Sequence, residues 1–252
     1  MTVSPRYRAP ALEKGLEILE FLAPKTGPMT LSEISAGVGR SKNEIFRMIQ
    51  VLEERRYLTR APGTEGFMLT NRLFMLGMEH PPIKGLMEVA LPVMHGLAND
   101  ILQPCHLAIP SEELIIVIAR VESPGDTGFM VRVGHRRPIP HSTSGLVLFA
   151  FQSEEVRSQW LELFDRRAVG YDRKRTMAAA HGIAAKGIAS IASEVIAGVT
   201  DLSAPILLGG AAIAALTVPF VERRGDRTQR TKAIERLRTA AARISHELEH
   251  GT

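Results

Sequence analysis

One cysteine, Cys105, occurs among the 252 residues. No intrachain disulfide can form, and a reducing compartment is expected. No apolar segment follows Arg6 and Arg8 near the start, so no secretory signal is read and a cytoplasmic location is expected. Long hydrophobic runs are missing too. The longest apolar stretch, residues 195–221, is interrupted by Asp201, Pro205 and the Gly209-Gly210 pair, which reads as two buried strands and a turn rather than a membrane span. Walker, GxGxxG and GxSxG patterns are absent, so no cofactor is expected and no catalytic residue is assigned. Internal repeats and low-complexity tracts are also lacking. Neither sign of charge dominates: 31 basic against 27 acidic residues give +4, a modest bias toward polyanions that identifies none.

Hydrophobic residues make up 45% and charged residues 23%, enough for a full globular core. The length suits two domains of about 80 and 170 residues. Two basic clusters, Arg166, Arg167, Arg173, Lys174 and Arg175, then Arg223, Arg224, Arg227, Arg230 and Lys232, read as solvated helix faces or oligomer contacts.

The richest stretch is residues 31–70. Leu31, Ile34 and Val38 give a short helix one apolar stripe, and Gly37 and Gly39 permit a sharp turn after it. Ser41 can cap a second helix, with Glu44 three residues on completing a capping box. Ile45, Met48, Ile49 and Leu52 fall on one face of that helix. Asn43, Arg47, Gln50 and Glu54 fall on another. With Arg40, Ser41 and Lys42, the polar face offers side chains that hydrogen-bond phosphates and base edges. Two β-like runs, 57–60 and 66–70, flank the turn-forming 61–65, and Arg60 enters that tip. Helix, turn, helix and hairpin in this order predict a winged helix that reads a major groove.

Residues 1–10 are expected to form a flexible arm, and 11–23 a first helix bearing Leu12, Leu16, Leu19 and Ala23. The winged-helix domain therefore spans 11–70. Residues 71–100 read as linker helices, with Leu86, Val89, Ala90, Val93 and Leu97 on one face and Pro92 as a possible kink. That face suits packing, a dimer contact included. Residues 101–252 alternate strands (106–109, 114–121, 129–133), helices (145–151, 154–163, 173–186) and further strands (188–191, 195–207, 211–218). A closing helix carries Ile234, Leu237, Ala241, Ile244 and Leu248. The order predicts an α+β domain with a curved, antiparallel-rich sheet.

These features together resemble the IclR family of bacterial transcriptional regulators over about residues 11–249. The resemblance rests on GRSKNEIFRM with RRYLTR and GFMLT, on HSTSGLVLFAF, and on EVIAGVTDLSAPIL. It implies a homodimer or homotetramer that binds a double-stranded DNA operator. Its second domain would bind a small metabolite, often a carboxylate, that modulates operator binding. The pocket positions it implies are His141, Ser142, Thr143, Ser144, Gly145, Val199, Asp201, Ser203 and Thr217. Two departures stand out. Many members enter the recognition helix with Pro-Lys-Ser-Thr, where this chain has Ser41-Lys42-Asn43-Glu44, and many have cysteine where this chain has Asp201.

The loop reading has independent sense, because Ser144 and Gly145 open a helix whose free N–H groups favour an anion, with an ordinary N-cap as the alternative. Asp201 among apolar strand residues needs a partner if buried, and His135, His141 or Arg132 is expected to supply it. Cys105-His106 is rejected as a nucleophile and base, since strand neighbours point to opposite faces. His106, His135, His141 and Asp201 lack the tight spacing of a metal site, so no metal is assigned. Two alternatives stay open: a DNA-binding protein whose second domain only oligomerises, and a sensor domain with residual hydrolase activity.

Overall fold

The computed structural model describes residues 9–124, 131–222 and 228–251. Two compact units divide at residues 84 and 85. The first eight residues of the expected arm, part of the strand expected at 129–133, and Arg223, Arg224 and Arg227 lie outside the described residues.

The first unit opens with helix α1 (Pro10–Leu22), followed by α2 (Leu31–Val38) and α3 (Lys42–Glu54). Ile18, Leu22, Ile34, Ile45, Ile49, Leu58 and Phe67 form its buried core. Both later helices start on capping boxes. Thr30 and Glu33 exchange bonds at the head of α2, and Ser41 and Glu44 do so at the head of α3, satisfying donors that a helix start leaves free. The Thr30 cap escaped the sequence reading. The turn also differs in detail. Gly39 alone makes it, as a left-handed C-cap with φ of 64°. Gly37 lies within α2, where a Cβ would stand 2.1 Å from the Phe21 ring, so it serves close helix packing instead. Strands β1 (Leu58–Arg60) and β2 (Phe67–Leu69) pair antiparallel and form the wing.

Helix α4 (Arg72–Glu79) follows and buries none of its residues within the chain. Helix α5 (Pro81–Ile101) starts on proline, which needs no N–H partner at that position, and carries Pro92 within it. Its buried face, Leu86, Ala90, Val93, Met94, Leu97 and Ala98, belongs to the second unit's core.

That unit is built on a six-stranded antiparallel sheet. Its strands are β3 (Cys105–Ser111), β4 (Leu114–Val121), β5 (Arg136–Pro138), β6 (Ala189–Ala192), β7 (Val199–Leu208) and β8 (Ala211–Val221), in spatial order β5-β4-β3-β8-β7-β6. Helices α6 (Thr143–Ala150), α7 (Glu154–Arg167) and α8 (Arg173–Lys186) precede β6, and α9 (Thr228–His250) closes the chain. Strand β5 was not foreseen, since three residues are too few to show a period of two.

Alternation along the strands sorts side chains between two cores. Leu202, Ala204, Ile206, Leu216, Val218 and Phe220 pack with α5 and α9. Ile115, Val117, Ala212 and Ala215 pack with α6, α7 and α8. A register shift at Leu107/Ala108 re-aims β4, so Ala119 and Val121 serve the first core while Val117 and Ile115 serve the second. Asp201, Ser203, Thr217 and His106 take the second face by the same alternation.

Candidate functional site

In the first unit α3 presents the expected polar face. Lys42, Asn43, Arg47 and Gln50 are all exposed. Ile45 and Ile49 point inward, so their burial fixes which way that face turns. Glu44, the acid in that departure from the family's helix entry, is engaged locally: it caps Ser41 and pairs with Lys14 at 3.1 Å. Those bonds pull its carboxyl down to about 2, so it stays ionised and neutralised by its neighbours. Two other expected contacts are less free than the sequence suggested. Arg40 forms a two-pronged bond to Glu17, at 2.8 and 3.1 Å, tying α1 to the entry of α3. Arg60 donates to Glu53 at 3.1 Å and lies 4.8 Å from the centre of the Phe67 ring. Ser41 is the helix cap, with its hydroxyl taken up in the Ser41–Glu44 exchange.

In the second unit a cavity of about 730 Å³ opens on the sheet face covered by α6 and α8. Of the nine expected pocket residues, His141, Ser142, Thr143, Ser144, Val199, Asp201 and Thr217 line it. Ser203 does not. It is fully buried, and its hydroxyl is bonded to that of Thr217 at 2.8 Å, which holds Thr217 in place from behind. Gly145 does not line it either. Its N–H donates to Ser142 Oγ at 3.1 Å, so the ordinary N-cap reading holds for this group. A Cβ at Gly145 would stand 2.3 Å from the Ile139 carbonyl oxygen, so glycine lets α6 sit against the turn before it. His141 Nε2 donates to the Val169 carbonyl at 2.8 Å, pinning the turn before α6 to the loop after α7.

Asp201 finds different partners from those expected. Thr143 Oγ1 donates to its Oδ2 at 3.5 Å, Ser193 adds a further bond, and the charge it feels is that of Arg137. His135, His141 and Arg132 line the same cavity without supplying that partner. Burial outweighs these bonds and raises the Asp201 carboxyl above its ordinary range.

The cavity also holds groups the sequence reading missed. Arg137 and Arg175 line it, and Glu194 bridges them, accepting from Arg137 at 3.1 Å and from Arg175 at 3.5 Å. Arg137 sits on edge strand β5 and Glu194 just past β6, the opposite edge, so the sheet must curl until its edges approach. Nothing in a three-residue strand announces Arg137, whereas Glu194 stands in the EVIAGVTD segment already singled out. His106 lines the floor next to Thr217, its register partner. Burial, aided by the charge of His135, pushes its ring down to about 4, so at neutral pH it is an uncharged hydrogen-bonding group.

Cys105 is buried on the other face of β3, its Sγ 3.6 Å from the Met94 carbonyl oxygen, and burial lifts its thiol to about 12. Such a thiol is no nucleophile. Among the described residues no three His, Cys, Asp or Glu side chains converge as a metal site requires, and no helix is long and apolar enough to cross a membrane.

Comparison with known proteins agrees with both halves of this geometry. Residues 11–62 match the IclR helix-turn-helix domain, and residues 83–246 match the model described as bacterial transcriptional regulator IclR C-terminal. The chain is 25% identical over 228 residues to the HTH-type transcriptional regulator KdgR of Escherichia coli, covering 86% of this chain and 85% of that one. It is 25% identical over 251 residues to the glycerol operon regulatory protein of Streptomyces griseus, covering 96% and 97%. Among solved structures, an IclR homologue from Microbacterium hydrocarbonoxydans complexed with 4-hydroxybenzoate matches with a TM-score of 0.78 at 22% identity, covering 94% of this chain and 98% of that one. A putative transcriptional regulator from Rhodococcus sp. RHA1 matches at 0.77 and 24%, covering 96% and 98%. With family models matched across both units, the chain belongs to the IclR family of DNA-binding transcriptional regulators, which are regulators and not enzymes.

Proposed function

We propose that this regulator binds its operator through α3 and the wing, and that a small carboxylate in the second unit's cavity modulates that binding. The observation that carries the reading is the cavity itself. It has the size and mixed lining of a small-molecule site, and three arginines, Arg132, Arg137 and Arg175, line it. The head of α6 adds N–H groups of a helix start to the same wall. The Microbacterium homologue binds a carboxylate, 4-hydroxybenzoate, in line with that class.

On this reading residues 11–70 form the DNA-reading module, 71–100 the linker and 101–252 the sensing and oligomerising module. Lys42, Asn43, Arg47 and Gln50 take the base edges and phosphates, and Ser41 positions them as the cap. Arg40 and Arg60, already held by Glu17 and Glu53, add charge near the backbone rather than direct reading. The protein acts as a homodimer or tetramer in the cytoplasm, and the apolar residues Leu73, Phe74, Met75 and Leu76 exposed on α4 support self-association.

Replacing Arg47 with Glu tests the DNA half. Affinity of the full chain for DNA selected from a pool is expected to fall at least tenfold, with a shallower salt dependence. Unchanged affinity and slope would remove α3 as the reader. A thermal-shift panel of small carboxylates on the full chain tests the cavity half, where at least one should raise the melting temperature in proportion to the logarithm of its concentration.

A further inference from the structure

Asp201 is the carboxylate that the sheet itself directs at the cavity, and it is short of donors. An ionised carboxylate accepts about four hydrogen bonds. Here Thr143 supplies one at 3.5 Å, the long limit of such a contact, and Ser193 another. Arg137, the cation whose charge reaches it, is itself bonded to Glu194, as is Arg175. Acceptor capacity therefore faces the cavity unspent. A second carboxylate placed there would meet like charge, a keto group would set one acceptor against another, and a methyl group would leave the oxygen dry, which is costly. An ammonium group would also satisfy Asp201, but it would add a positive charge to a cavity in which Arg132, Arg137 and Arg175 already face Asp172, Glu194 and Asp201, whereas a hydroxyl adds none. A hydroxyl meets both demands.

The rest of the lining defines the ligand's body. Ile115, Val117, Val131, Leu146, Ile191 and Val199 are apolar walls around about 730 Å³. A two- or three-carbon acid would leave most of that surface uncovered, so the body must be larger and apolar.

We propose that Asp201 sets the ligand class of this cavity: a carboxylate on an apolar body that also carries a hydroxyl, the hydroxyl donating to Asp201 while the carboxylate lies among the arginines. This rests on the carboxylate reading above. It departs from any ligand that needs no donor, and it makes Asp201 a specificity-determining residue.

The test is calorimetric titration of the full chain with benzoate and the 2-, 3- and 4-substituted hydroxybenzoates, methylbenzoates and aminomethylbenzoates. Methyl matches hydroxyl in size and lacks the donor. At least one hydroxybenzoate should bind roughly 10- to 100-fold more tightly than its methyl counterpart, the range of a hydrogen bond to a charged group. In Asp201→Leu that preference should disappear or reverse in favour of methyl, with circular dichroism confirming the fold. Asp201→Asn, which keeps the shape and one acceptor without the charge, should retain only a several-fold preference and serves if the leucine variant does not fold. Hydroxy and methyl probes binding equally to the unaltered chain would overturn the proposal while leaving the carboxylate reading intact. Tightest binding of an aminomethylbenzoate would overturn the choice of hydroxyl. No binding by any of these acids would overturn the proposal, and would overturn the carboxylate reading as well only if the wider carboxylate panel also gave no shift.

Discussion

Single side chains in the cavity carry opposite pH signatures. The ring of His106 titrates near 4 in the folded chain against an ordinary 6.5. Between those values the unfolded chain binds more protons, so stability held by the neutral ring is complete above about 6.5 and is lost as pH falls toward 4. Asp201 runs the other way. Its raised folded-state value means that stability is greatest below its ordinary 3.8 and declines as pH rises through the folded value. Between pH 7 and pH 4 the two contributions to the urea midpoint oppose each other, and His106→Gln, which removes the one that falls, should make the decline shallower. An equally steep decline in the variant would show that other groups govern it. Asp201 itself was legible as a residue needing a partner, because an acid among apolar strand residues is conspicuous. Its partners were not legible. Thr143, Ser193 and Arg137 come to it from three different elements, brought together by the curl of the sheet, and no local pattern encodes that closure.

Elements were read best where they are long and periodic or carry a cap. The Ser41–Glu44 box, the apolar face of α3 and the a/d seam of α9 all stand where their spacing placed them. Strand β5 and the Thr30 cap were missed, being too short or lying one residue before the pattern begins. Gly37 and Gly39 were read as turn makers, which is right for Gly39 at φ of 64° and wrong for Gly37, and Gly145 was read as an anion-binding helix start; the packing roles of Gly37 and Gly145 depend on a neighbour distant along the chain or behind the helix. Gly145 gives the sharper test. A methyl there must displace α6 or the Ile139 turn, since both the carbonyl and the Cα of Ile139 lie within 2.6 Å of the Cβ position. Gly145→Ala is expected to lower stability by about 1–3 kcal/mol, as overpacking does, and to weaken ligand binding through displaced Thr143 and Ser144. Gly77→Ala, on α4 with open space around its Cβ, should be neutral or slightly stabilising in the same melts.

At the scale of the whole molecule, two units with separate cores carry two separate chemistries: a basic helix face in one and a cavity lined by arginines, histidines and acids in the other. Joining them into a switch is a matter of coupling free energy, which requires that ligand bind DNA-competent and DNA-incompetent arrangements with different affinity. The α5 helix runs through the boundary at residues 84 and 85 and packs its inner face into the second unit's core, so under the proposed function it is the covalent connection along which a change in that core would have to act. The most direct test is fluorescence anisotropy of the full chain on DNA selected from a pool, with and without a carboxylate at a concentration that saturates the cavity by calorimetry. The account predicts a change in DNA affinity of roughly 5- to 150-fold, the span of ordinary allosteric coupling. Identical affinity in the ligand-free and ligand-saturated protein would contradict it.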